Sequence, residues 1–205
     1  MMTKEAPRSR IFFVALFVFV VAVGIANAVK FARCFSAAKD VPPLDYYIMR
    51  VKFYGSSDVD GENTVSANFS ILDPQGNDCA VIERSWKGNY LFLTFRTAEF
   101  SGRTFWFPEK IYGSETIDER GISRFGARGT SLYPYYVDGG QCFLRGRLIP
   151  SRQRKKLFQL AKFAFSPLSF FFKGFSKKHV VSLSSLVTGE TKSIYCTADG
   201  SVYMQ

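Results

Sequence analysis

The chain opens with an unbroken apolar run, Ile11 to Ala26, and then changes period. From Tyr46 onward, apolar residues alternate with polar ones or fall in blocks of strand length between turn signals. Tyr46 to Tyr54 predicts a strand. Thr64 to Leu72 alternates cleanly, with Val65, Ala67, Phe69 and Ile71 on one side and Ser66, Asn68 and Ser70 on the other. Asp73-Pro74-Gln75-Gly76-Asn77 has turn chemistry, since proline presets φ and glycine accepts a positive one. Cys79 to Trp86 and Tyr90 to Thr97 follow as a predicted pair joined by Lys87-Gly88-Asn89. Leu91, Phe92, Leu93 and Phe95 make the second of these apolar on both faces, as in a central strand.

Further strands are predicted at Arg103 to Phe107, Leu132 to Val137 and Gln141 to Leu148, the last two around the hairpin signal Asp138-Gly139-Gly140. Val180 to Val187, Lys192 to Thr197 and Ser201 to Tyr203 close the series, and Gly113 to Thr130 is expected to be loop. Short strands at regular spacing predict a mainly β protein, an antiparallel β-sandwich or partly open barrel. One basic amphipathic helical insertion interrupts it, and an N-terminal hydrophobic signal or anchor helix precedes it.

Lys4, Arg8 and Arg10 precede the apolar run, and Ala26-Asn27-Ala28 follows it. Positive flank, apolar core and small-x-small exit are the layout of a secretory signal. Gly24 and the small Ala26 and Ala28 favour cleavage after residue 28. Val29, Phe31 and Ala32 extend the helix and favour an uncleaved anchor, with Lys30 and Arg33 snorkelling. Either way the remainder is expected outside the cytoplasm: periplasmic, secreted or in the cell envelope. Cys34 stands in a poor context for lipidation, after Phe31-Ala32-Arg33. The organisation is then a signal or anchor at 1–28, a stalk at 29–43 closed by Pro42-Pro43, and a β-rich domain at 44–205 with the insertion at 152–178.

Aromatic residues are 17% of the 205, a heavy load that suits strands. Of Cys34, Cys79, Cys142 and Cys196, none forms a CxxC, and His179 is the one histidine, so no zinc site is expected. An oxidising compartment permits up to two disulfides, and Cys142–Cys196 is the favoured pair, because both fall in predicted late strands; the plainer reading is buried free thiols or a single structural bridge.

The net charge is +10. Residues 145–178 carry Arg145, Arg147, Arg152, Arg154, Lys155, Lys156, Lys162, Lys173, Lys177 and Lys178 and no acid, so they account for all of it. Gln153 to Phe165 has helical spacing: Leu157, Leu160, Ala161 and Ala164 form a stripe, flanked by Phe158 and Phe165. Pro167 is expected to end this helix, and Phe170, Phe171 and Phe172 follow. Arg152, Arg154, Lys155, Lys156, Phe158, Lys162, Phe165, Phe170, Phe171 and Phe172 are the candidate contacts with an anionic membrane surface or an envelope protein partner. The competing reading is a helix packed on the β-domain, its Phe residues in the core and its Lys solvated. Basic residues among aromatics can also track nucleic acid, a reading the export signal sets aside.

Asp58, Asp60, Glu62 and Asn63 put four oxygen-bearing side chains in one short loop, a candidate calcium site, although the spacing is not that of an EF-hand. The plainer reading is a polar hairpin loop, and no other cofactor is implied. Asn68-Phe69-Ser70 fits the glycosylation triplet. Arg120, Arg124 and Arg128 among glycines suggest an anion loop, and Leu132-Tyr133-Pro134-Tyr135-Tyr136 is an aromatic cluster for the core or for stacking.

Catalysis has little support. The chain lacks the Gly-x-Ser-x-Gly, phosphate-loop and His-Glu-x-x-His patterns, and Glu83, Glu99, Glu109, Glu115 and Glu119 are scattered. The expectation is a non-catalytic, exported, membrane-associated binding or envelope-structural module. The alternative is an extracytoplasmic hydrolase of envelope glycan or polymer.

Overall fold

The computed structural model describes residues 8–59, 61–116, 129–166 and 174–205. The protein is mainly β, with antiparallel sheets and one long apolar helix near the N-terminus. That helix, α1 (Arg8–Asp40), runs through the apolar segment, past Ala28, and on through the expected stalk. The stalk is therefore helix to Asp40, because residues 29–39 contain no proline or glycine to stop it. Pro42-Pro43 then ends it.

The strands are β1 (Tyr46–Val59), β2 (Glu62–Leu72), β3 (Asp78–Lys87), β4 (Leu91–Phe100), β5 (Arg103–Gly113), β6 (Thr130–Ser131), β7 (Val137–Asp138), β8 (Gln141–Cys142), β9 (Ser176–Ser182), β10 (Thr191–Cys196) and β11 (Val202–Met204). Among the described residues two further helices, α2 (Tyr133–Tyr136) and α3 (Ser151–Ala164), lie between β6 and β9. Among the described residues one sheet has the order β11-β10-β1-β2-β3, a second β6-β5-β4-β9, and β7-β8 is a small hairpin.

Residues of both larger sheets, α1 and α3 share one core cluster. Val65, Ala67, Phe69 and Ile71 are fully buried, so the alternation in β2 sets its core face. Phe69 packs edge-on to Trp86 at 5.5 Å, and Phe95 to Trp106 at 5.7 Å. β4 is central, between β5 and β9, and its apolar residues are buried on both faces.

Four further expectations are corrected. β3 and β4 do not pair: β3 is an edge strand on β2, while β4 begins the other sheet. Exposed Glu83 and Ser85 suit an edge, whereas β4 needs cover on both faces. The chain crosses between sheets at Gly88, whose φ is +121° and whose missing Cβ leaves room for Ser114. The strand expected at Leu132 to Val137 is mostly helix α2, because Pro134 cannot donate to a ladder and suits a first helical turn.

The strand expected at Gln141 to Leu148 stops at Cys142, with Gly146 turning the chain at φ +85°. Finally, Cys142 and Cys196 are not bridged, and all four cysteines are free thiols. Cys142 lies in the β7-β8 hairpin and Cys196 at the end of β10, so the two do not share a sheet. Both interact with the buried Tyr46 phenol.

Candidate membrane-proximal site

The outer part of α1 is exposed from Ile11 through Ile25, and the helix is long and apolar enough to cross a membrane. Its inner part belongs to the domain. Cys34, Ala37, Ala38 and Val41 are buried, at the three- and four-residue spacing of one helical face. Phe31, one turn earlier, meets Phe175 edge-on at 4.8 Å, Phe100 at 5.3 Å and Phe163 of α3 at 6.4 Å. Four aromatic rings thus join α1, β4, α3 and the entry to β9.

Two arginines hold the end of the helix. Arg103 Nη1 donates to the carbonyls of Ala38 at 3.0 Å and Val41 at 2.5 Å. Arg145, buried to 7% exposure, donates to the Pro42 carbonyl, and its guanidinium lies over the Tyr46 ring at 5.1 Å. The last carbonyls of a helix carry partial negative charge and lack intrahelical donors, so guanidinium groups suit them. Burial lowers the Arg103 pKa, and the charge of Arg145 lowers it further. Asp40, in the last turn of α1, completes the joint with ion pairs to Lys156 at 3.4 Å and Arg152 at 3.8 Å.

α3 lies beside this joint. Leu157, Leu160, Ala161 and Ala164 are buried, as the stripe predicts, and so is Phe163, which the spacing of Phe158 and Phe165 had not singled out. Its signal was present: it stands three residues after Leu160, on the same face. Between α1 and α3 a cavity of about 430 Å³ is lined by Lys30, Arg33, Lys155, Lys162, Phe158 and Gln159, among others.

The candidate contact residues therefore divide. Lys155 and Lys162 are exposed at the cavity, with Phe158 beside them. Arg152 and Lys156 serve Asp40. Arg154 turns to its own domain: it donates to Gln141 Oε1 at 2.7 Å and to the carbonyls of Ile149 at 2.8 Å and Arg147, with Phe143 under its guanidinium. Phe165 packs on Tyr133 at 4.7 Å. Phe170, Phe171 and Phe172 lie outside the described residues.

The other candidates are placed as follows. Asp58 and Glu62 face Asn63 and Val59 across the β1-β2 hairpin; Glu62 is held by Lys87 at 2.6 Å, and Asp60 lies outside the described residues. Among the described residues no group of three or more His, Cys, Asp or Glu is arranged to hold a metal ion. Asn68 sits mid-strand in β2, 3.4 Å from Glu83. Arg120, Arg124 and Arg128 lie outside the described residues. Of the aromatic cluster, Leu132 and Tyr136 are buried, and the Tyr136 hydroxyl donates to the Pro108 carbonyl at 2.8 Å. Glu99 pairs with Lys177 at 2.8 Å and Glu109 with Arg96 at 3.0 Å, so each has its own cation. His179 packs at a tilt against Trp106, with centroids 4.5 Å apart; burial lowers its pKa first, and Lys177 adds to the effect.

The chain matches no family model, and no curated protein or solved structure is detectably similar to it.

Proposed function

We propose that the chain is a membrane-anchored, non-catalytic β-domain that works outside the cytoplasm as a binding or envelope-structural module. In this reading its two large sheets pack as a sandwich, and α3 is an amphipathic helix that covers one end of it and turns its lysines to the membrane. The single observation that carries the reading is the continuity of α1. An exposed apolar helix runs without a break into a segment buried in the domain core.

That continuity favours retention of the N-terminal segment over cleavage after Ala28. Removal would expose the Phe31 end of a packed helix, and residues 26–28 are already helical. Lys4, Arg8 and Arg10 support an orientation with the N-terminus inside. The paired state of Glu99 and Glu109 supports a structural role for those carboxylates. The test is proteolysis of sealed vesicles of known orientation. Cleavage within 44–205 only from the outer side supports the proposal; cleavage only from the cytoplasmic side, or loss of the protein to the soluble fraction, contradicts it.

A further inference from the structure

Resting on the reading of α1 as a membrane anchor, we propose that the cavity between α1 and α3 holds the phosphate headgroup of one anionic glycerophospholipid. The acyl chains would lie along the exposed apolar part of α1.

Charge is the first argument. Lys30 and Arg33 stand one turn apart on α1, and Lys155 and Lys162 stand two turns apart on α3. All four line the cavity, and among the described residues no carboxylate lines it. Among the described residues none of the four has an ion-pair partner, although Arg152 and Lys156 on the same helix find Asp40. Four cations converge from two helices, and nothing described in the protein neutralises them. A phosphate takes hydrogen bonds from ammonium and guanidinium donors together.

Depth is the second. Lys30 and Arg33 lie about 6 and 10 Å along the helix axis beyond Ala26, at 1.5 Å per residue. Headgroup regions occupy roughly 5–8 Å on each side of a hydrocarbon core of about 30 Å. Lys30 therefore falls at headgroup level when the apolar run is in the membrane, and Arg33 stands just outside it, close enough for its long side chain to reach back.

Lining is the third. Phe158 and Phe163 give the cavity an apolar wall for the glycerol backbone. The amide oxygen of Gln159 is buried, with no donor among the described residues. A hydroxyl-bearing headgroup such as phosphatidylglycerol supplies one.

The test uses the full-length protein in detergent, with native mass spectrometry against phosphatidylglycerol, phosphatidylcholine and inorganic phosphate. One phosphatidylglycerol is expected to be retained per chain, with no phosphatidylcholine and no displacement by millimolar phosphate. Lys30→Gln with Arg33→Gln, and separately Lys155→Gln with Lys162→Gln, should each weaken retention about tenfold or more. Lys155→Arg with Lys162→Arg should keep it. Lys52→Gln with Arg84→Gln, on the five-stranded sheet and outside the cavity lining, removes equal charge and should change little. Equal loss in that control, binding of many lipids without saturation at one, or displacement by phosphate would each overturn the proposal. A protein that resists carbonate extraction but retains no lipid sinks the lipid site and leaves the anchor standing; a protein lost to carbonate sinks the anchor itself.

Discussion

Arg103, on β5, donates through Nη1 to the carbonyl of Ala38 in the last turn of α1, at 3.0 Å. The same nitrogen reaches the carbonyl of Val41, so one side chain caps the last turn of the helix and the residue that follows it. With Arg145 on Pro42, the joint between helix and domain rests on charge-assisted bonds to backbone carbonyls as well as on apolar packing. This gives the helix a fixed direction relative to the sheets.

Arg103→Ala removes both bonds and leaves buried carbonyls without donors. Each orphaned acceptor costs roughly 1–3 kcal/mol, so a loss of about 2–6 kcal/mol in domain stability is expected. Denaturant unfolding measures it. Hydrogen exchange should quicken at residues 37–41 first; protection unchanged there would show that Arg103 does not hold the helix.

Phe31→Ala tests the aromatic joint. Full truncation of a buried Phe costs about 3–5 kcal/mol, and Phe31 is only partly buried, so about 2–3 kcal/mol is expected. Phe31→Leu should recover more than half of that. A double cycle with Phe163→Ala should show coupling, because the rings are 6.4 Å apart.

His179 makes stability depend on pH. Its folded pKa lies below the ordinary 6.5 through burial and then through Lys177, with Glu99 opposing. The unfolded chain therefore takes up the proton first as pH falls. This contribution is complete above about pH 6.5 and is lost as pH falls below that value towards the lowered folded pKa. His179→Gln should flatten that part of the stability profile measured between pH 7 and pH 5. An unchanged slope would rule out His179 as its source.

The thiols should differ in reactivity. Burial raises Cys142 to about 12 and Cys196 to about 11, while Cys79 is half-buried and less strongly shifted. Alkylation of the native protein at pH 8 should reach Cys79 first and leave Cys142 and Cys196 unmodified until unfolding. A disulfide-linked Cys142–Cys196 peptide from non-reducing digestion would contradict the free-thiol arrangement.

Much of the β architecture was legible because period-two alternation leaves a local trace. Val65 to Ile71 fixed the face of β2, and the apolar block at Leu91 to Phe95 marked β4 as central. Strand partnership left no such trace. Lys87-Gly88-Asn89 has the composition of a hairpin turn, but the chain changes sheets there, because the burial of β4 on both faces outweighs local turn chemistry. The α3 stripe was visible through Leu157 to Ala164. The joint was not, since Arg103 and Arg145 act on backbone carbonyls more than 60 residues away in sequence, and nothing in local pattern links them to Ala38 or Pro42. Lys30 and Arg33 were visible as interface residues, but their convergence with Lys155 and Lys162 depends on how two distant helices pack.

The central claim is that α1 stays whole, spanning the membrane and docking in the domain. The direct measurement is the intact mass of the protein recovered from carbonate-washed membranes. The account predicts a chain that retains residues 1–28 and remains in the pellet. A mature chain beginning at Val29 and released to the supernatant would contradict it.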